Sequence, residues 1–286
     1  MANDFTDQFP QNSVGNRYHD PTNALATERA QVLDFYHIPS GTAIAFKAFI
    51  NNFSDAYSSE WNTESVYGRM DPIAAFQGTS RTLSVEWDVV SSSVMEAKLN
   101  MSKLQMLMSM LYPSYDAGAM GASSATTIST SPLFRFKFGN FAHDVEAGAG
   151  SSAARAEAAG LVGFIGGFTF EPDFEYGIVE GNPEEGEGTP PNLPASALRG
   201  GGQLTNPGEF FPLKFTLSME FTVLHTHTLG WEKASSGTGL DPRTSGFPYD
   251  VGNSLMYSAG SESRETESGS DVEELEEAAE FDLGLG

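Results

Sequence analysis

VYGRMDPIAAFQGTSRTLSVEWDVVSSSVMEAKLNMSKLQMLMSMLYPSY, residues 66–115, holds three patterns in succession. It opens on a polar turn, Tyr67-Gly68-Arg69-Met70-Asp71-Pro72. Then Leu83, Val85, Trp87 and Val89 alternate with Thr82, Ser84, Glu86 and Asp88. That strict period of two predicts a strand with one face on a core. Val94, Ala97, Met101, Leu104, Met108 and Leu111 next recur at three- and four-residue steps, which predicts a helix with an apolar stripe. Ser93 is placed to cap the first free amides, and Glu96, three residues on, to complete a capping box. Pro113 ends the helix, because proline disfavours helical geometry in the residue before it. A strand running directly into an amphipathic helix implies a layer of helix on a layer of sheet.

Upstream, residues 1–40 are polar and weakly patterned and read as an N-terminal arm, with a short helix somewhere in Ala24 to Phe35. Gly41 to Ile50 reads as a strand with Ile44, Phe46, Ala48 and Ile50 on one face. Residues 51–65 read as a loop, from Asn51-Asn52, Ser54-Asp55 and Ser58-Ser59. Phe53, Tyr57 and Trp61 recur through it at four-residue steps. They anchor the loop to the domain or present aromatic surface to a neighbouring subunit.

Downstream, 116–131 and 142–160 are rich in Ala, Gly and Ser and read as flexible insertions. Pro132 to Phe138 is a short strand, and Leu161 to Phe170, with three glycines, is a bent or bulged one. Pro172 to Val179 is expected to be its hairpin partner. Residues 180–207 form a long loop rich in Pro, Gly and Glu, and loops of that length are usually functional or disordered. Phe211 to His225 alternates along its whole length and predicts a strand longer than the ~5–6 residues usual for one. Residues 232–286 read as a polar, then acidic, largely disordered tail. The division is an arm (1–40), an α+β domain (41–231) with flexible insertions, and that tail.

The 286 residues suffice for a substantial core. With 38 acidic against 15 basic side chains the net charge is −23, which argues against a basic patch for nucleic acid. Ten of those acids follow Ser261, so the tail carries much of the excess. There is no cysteine, hence no disulfide framework and no thiolate metal site. No apolar run approaches a membrane span, and the N-terminal residues lack the basic and apolar regions of a signal peptide.

Candidate chemistry is sparse. His225 and His227 lie two apart, on one face of a strand, but spacing identifies no third ligand. Asp71 beside Arg69 has the elements of an acid with a basic partner, and equally of a turn with a local ion pair. GLVGFIGG (160–167) lies within a strand and is not a dinucleotide fingerprint. No catalytic residue, cofactor site or metal site is expected.

Four stretches, in order, resemble the baseplate proteins of contractile phage tails, the group of tube initiators and hub adaptors. They are AFKAFINNFSDAYSSEWN (45–62), VYGRMDPIAAFQGTSRTLSVEWDVV (66–90), the helix with its closing LYPSY (111–115), and FFPLKFTLSMEFTVLHTHTLGW (210–231). The resemblance implies a tube-like fold of antiparallel strands with one packed helix. It also implies a structural virion protein in the tail baseplate, assembled in the host cytoplasm. Its partners would be itself in a symmetric ring, a hexamer being one form, together with other baseplate, hub, spike and tail tube proteins. Interface residues under this reading are Phe53, Tyr57, Trp61, Tyr67, Arg69, Asp71, His225, His227 and Trp231, and the loops at 51–80 and 180–207 are the expected contact regions. The alternatives are a cell-wall-binding module, a peptidoglycan hydrolase, and a secreted β-rich protein.

Overall fold

The computed structural model describes residues 8–9, 11–12, 17–18, 21–115, 128–147, 154–180, 209–233, 240–244 and 246–251. The acidic tail, the 180–207 loop beyond Glu180, and the insertions over 116–127 and 148–153 lie outside the described residues.

In chain order the strands are β1 (Gln11–Asn12), β2 (Arg17–Tyr18), β3 (Val32–His37), β4 (Thr42–Lys47), β5 (Phe49–Glu64), β6 (Ile73–Val90), β7 (Ser114–Tyr115), β8 (Ile128–Thr130), β9 (Phe134–Phe138), β10 (Leu161–Pro172), β11 (Ile178–Glu180), β12 (Phe210–Pro212), β13 (Lys214–Val223), β14 (Trp231–Lys233) and β15 (Leu240–Pro242). The helices are α1 (Pro21–Glu28), α2 (Val94–Met110) and α3 (Ala156–Ala159). The chain is thus α+β, with mostly antiparallel sheet and few helices.

Seven strands form one sheet in the order β4-β3-β9-β10-β13-β6-β5, every pair antiparallel. Its two edge strands, β4 and β5, are separated in the chain by Ala48 alone. A flat sheet of seven strands cannot satisfy that connection, so the sheet curls until its edges meet at one corner, where the chain passes from one edge to the other. The corner amide of Ala48 is satisfied by the Gln31 carbonyl at 3.2 Å. The curl encloses Leu33, Phe35, Ile44, Phe46, Leu83, Val85, Trp87, Phe134, Phe136, Phe215, Leu217 and Phe221. Gly163 lies where β10 passes closest to β13. An added Cβ there would fall 2.2 Å from the Thr222 carbonyl oxygen, so only glycine fits. The predicted bulge in β10 falls between Ile165 and Gly167.

The expected helix is α2. Ser93 Oγ accepts from the Glu96 amide at 3.2 Å. The Glu96 carboxylate reaches one residue further back than a capping box requires, to the amide and hydroxyl of Ser92 at 2.8 and 2.7 Å. It also accepts from Lys47 Nζ at 2.6 Å, which ties α2 to β4. The buried face differs from the predicted stripe. Ala97 and Leu104 are on it, but Leu107 and Met110 complete it while Met108 is exposed. Asn100, bonded to Ser91, and Lys103 also lie on it.

Several expectations are corrected. Residues 51–65 are not a loop but strand β5, paired with β6 over its whole length. Asn, Ser and Asp are poor strand formers, yet past Tyr57 both faces meet water and pairing overrides propensity. The expected helix over 24–35 is α1 followed by β3, and β3 is not part of an arm but an inner strand of the sheet. The 41–50 strand breaks at Ala48. The segment after Pro172 does not pair back on β10, because β11 pairs with β12. The 211–225 strand is two, β12 and the ten-residue β13, so the overlong strands are β5 and β6, at 16 and 18 residues. Part of the expected tail is ordered as the β14–β15 ribbon.

Candidate functional site

β13 pairs with β6 only from Arg81 to Val90. From Ile73 to Ser80, β6 pairs with β5 alone. The β5–β6 hairpin therefore leaves the body as a two-stranded ribbon, a reach of roughly 25 Å at ~3.3 Å per residue. Nearly all of its residues are exposed on both faces. Trp61 and Phe76, 57% and 56% exposed, meet edge to face across the ribbon at 5.2 Å. Gly68, at φ +89°, makes the tip turn possible, and Tyr67 and Met70 on either side of it are fully exposed. A two-stranded ribbon is marginal in water by itself. A long one carrying Trp61, Tyr67, Met70, Ile73 and Phe76 into solvent has the properties of a docking element.

The ribbon is fixed at its root by a buried ion pair. Arg81 Nε and Nη2 donate to the two carboxylate oxygens of Asp55 at 3.0 and 2.8 Å, and Nη2 also reaches the Phe141 carbonyl at 3.3 Å. The guanidinium lies against the rings of both Tyr57 and Phe247, at 5.4 and 5.6 Å, and the two rings meet edge to face at 6.3 Å. The hydroxyls of Tyr249 and Tyr57 donate to Asp55 Oδ2 at 3.0 and 3.3 Å. Burial, with the Asp55 carboxylate beside it, pushes the Tyr57 phenol well above its ordinary range, although Arg81 opposes this. Arg81 is at the register position where β13 ends, so the clamp sits where the ribbon loses its third strand.

The proposed interface residues divide accordingly. Phe53 is half-buried against Phe138 and Phe141 and anchors β5. Tyr57 belongs to the clamp, and His225, beyond the end of β13, borders it at 6.4 Å from the Phe247 ring. Trp61 is on the projecting ribbon. Tyr67, Arg69 and Asp71 form its tip, where the Arg69 amide donates to the Val66 carbonyl at 3.2 Å. No ion pair joins Arg69 to Asp71, so that part of the turn expectation is corrected. His225 and His227 lie past the strand end rather than on one strand face. His227 Nδ1 faces Glu146 at 3.6 Å and Asp144 at 3.9 Å. Trp231, on β14, is exposed. Among the described residues, no group of His, Asp or Glu is arranged to hold a metal ion, and no helix is long and apolar enough to cross a membrane.

Sequence reasoning missed Arg81, Asp55, Phe247 and Tyr249. One signal was present. Arg81 continues the inward series Leu83, Val85, Trp87 and Val89, and a charge on a core face requires a buried partner.

The free edges complete the geometry. No described strand flanks the outer side of β5. β9 pairs with β10 only at Leu161 to Gly163, so among the described residues the rest of β10 has one open side. The segment β10-β13-β6-β5 is thus four-stranded with an open edge on each flank. No family model matches the chain, and no curated protein matches it.

Proposed function

We propose that the chain is a non-enzymatic structural protein of a contractile phage tail, a baseplate component near the tube axis that joins or initiates the inner tube as a symmetric ring. The observation that carries this reading is the four-stranded segment with two open edges. Because its strands alternate in direction, β10 of a second copy laid beside β5 would again be antiparallel. A head-to-tail contact of that kind closes into a ring when the rotation per subunit permits. Strand addition supplies main-chain hydrogen bonds as its affinity. In the same reading the projecting ribbon reaches along the ring axis to the neighbouring layer, with Trp61, Phe76, Tyr67 and Met70 as its contact residues. The resemblance of residues 41–115 and 161–231 to baseplate proteins points the same way.

The test is particle association. Tailed particles are purified from a lysate and fractionated into tails and heads, and the chain is sought with an antibody against it. The reading expects it in the tail fraction at a fixed copy number. Its absence from particles, or hydrolysis of peptidoglycan by the purified protein, would overturn it.

A further inference from the structure

β4 ends the sheet on one side, yet part of its outer edge is bonded. The Gln8 side-chain amide takes two of its backbone groups. Nε2 donates to the Ala43 carbonyl at 3.1 Å, and Oε1 accepts from the Ala45 amide at 2.8 Å. Successive residues of an antiparallel strand turn their backbone groups to opposite sides. With Ala43 and Ala45 facing outward, Ile44 and Phe46 face β3, where they pair with Phe35 and Leu33. One planar amide thus occupies the place that a peptide group of a further strand would take.

Phe9 holds that amide in place. Its side chain, 1% exposed, fills a small second core with Ala26 of α1, Val32 of β3 and Ala45 itself. Lys103 Nζ of α2 lies 4.2 Å from the centre of its ring. Anchor and cap are adjacent residues, so the amide is positioned before it bonds. The kind of cap matters. A main-chain strand in the same place would pair with β4 but offer a new open edge of its own. A side chain has no second row of N–H and C=O groups and ends the ladder there. The donor must also face a carbonyl, so the isosteric carboxylate of a Glu would set oxygen against oxygen.

We propose that Gln8 and Phe9 are an edge guard, which closes β4 to strand addition by a second copy of the chain. An uncovered row of edge groups is a template for pairing with another chain. β4 is separated from β5 by Ala48 alone, so two neighbouring edges would otherwise be offered to the same partner. No described strand flanks the outer side of β5 or residues 164–172 of β10. The guard removes a competitor beside the edges that the ring uses. That last step rests on the ring reading, whereas the capping of β4 does not.

The experiment compares the full wild-type chain with Gln8→Glu, which keeps the anchor, and Phe9→Ala, which removes it. Hydrogen exchange resolved to single amides by mass spectrometry reads Ala45 in dilute protein. Sedimentation velocity at rising concentration reads association, and circular dichroism checks that each variant keeps its sheet. In dilute protein the Ala45 amide should exchange roughly tenfold faster in both variants, the effect of losing one hydrogen bond. Ile44 and Phe46, bonded to β3, should keep their wild-type rates. In concentrated protein both variants should form species larger than any of the wild type. The Ala45 amide should be protected again in those species, because β4 then pairs with another copy. Wild-type exchange at Ala45 in both variants overturns the guard, and so do variants that associate only as the wild type does. A wild-type chain that forms no ring contradicts the ring reading alone, since the guard is measured as a difference from wild type.

Discussion

The rings of Phe35 and Trp87 lie 5.9 Å apart, although β9, β10 and β13 separate their strands in the sheet. Four strand spacings in a flat sheet would put them about 19 Å apart. Phe46, one strand further out on β4, also meets Trp87, at 6.1 Å. These contacts are the direct expression of the curl. One indole on the core face of β6 holds the far side of the sheet against the near side.

Truncating that indole should therefore unfold the chain more readily than any surface change. Trp87→Ala is expected to cost about 3–5 kcal/mol, the usual range for a large buried aromatic. Trp87→Phe should cost far less, because it keeps most of the ring volume and removes an indole N–H that has no partner in the core. Urea titrations of both variants, followed by circular dichroism, measure the difference. Equal losses would contradict the packing account.

Breaking the clamp should cost more than removing it. Both side chains are almost fully buried, so Arg81→Met leaves the Asp55 carboxylate without its counter-ion, at about 3–5 kcal/mol. The double variant Arg81→Met, Asp55→Leu removes both charges and should recover much of that loss. Thermal melts of the two singles and the double form the cycle. A double variant as unstable as the sum of the singles would contradict the reading.

Acid should act in part through Asp88. Partial burial raises its carboxyl, but hydrogen bonds from Thr216 and Asn51 and the nearby Lys214 ammonium outweigh that and hold it below its ordinary value. A depressed carboxyl contributes stability above its unfolded pKa of ~3.9 and loses it as pH falls through the folded value. Asp88→Asn should lose less stability than wild type between pH 5 and 2, measured as urea midpoints. Parallel curves would exclude the contribution.

The ribbon should matter to association and little to the fold. Trp61→Ser with Phe76→Ser removes an exposed aromatic pair worth about 0.5–1.5 kcal/mol. The melting temperature should therefore move by only a few degrees. Contact between stacked layers should be lost, read by sedimentation velocity as the disappearance of species larger than one ring. Unchanged large species would show that the ribbon is not the contact.

The parts that could be read from the sequence are those with one wet and one dry face. Leu83 to Val89 and Phe215 to Val223 alternate because water lies on one side and the core on the other. β5 gave no such pattern, because past Tyr57 neither face is buried and its Asn, Ser and Asp residues mimic a loop. β3 was hidden for the opposite reason. Leu33 and Phe35 face the main core, while Val32 packs with Phe9 and Asp34 binds Arg155 at 2.9 Å, so both faces are covered and no alternation survives. On α2 the helical period was clear, but its phase was not. Lys103 and Asn100 are buried while Met108 is exposed, an inversion that hydrophobicity alone misplaces. The clamp joins Asp55 and Arg81 to Phe247 and Tyr249, which follow Arg81 by about 170 residues in a stretch without periodicity, and only Arg81 on the core face of β6 signalled it.

Electron cryomicroscopy of the purified chain tests the central claim most directly. The account predicts closed rings in which β5 of one subunit pairs with the open side of β10 in the next, with every β5–β6 ribbon projecting from the same face of the ring. Monomers at all concentrations, or rings in which the β5 and β10 edges remain in solvent, would contradict it.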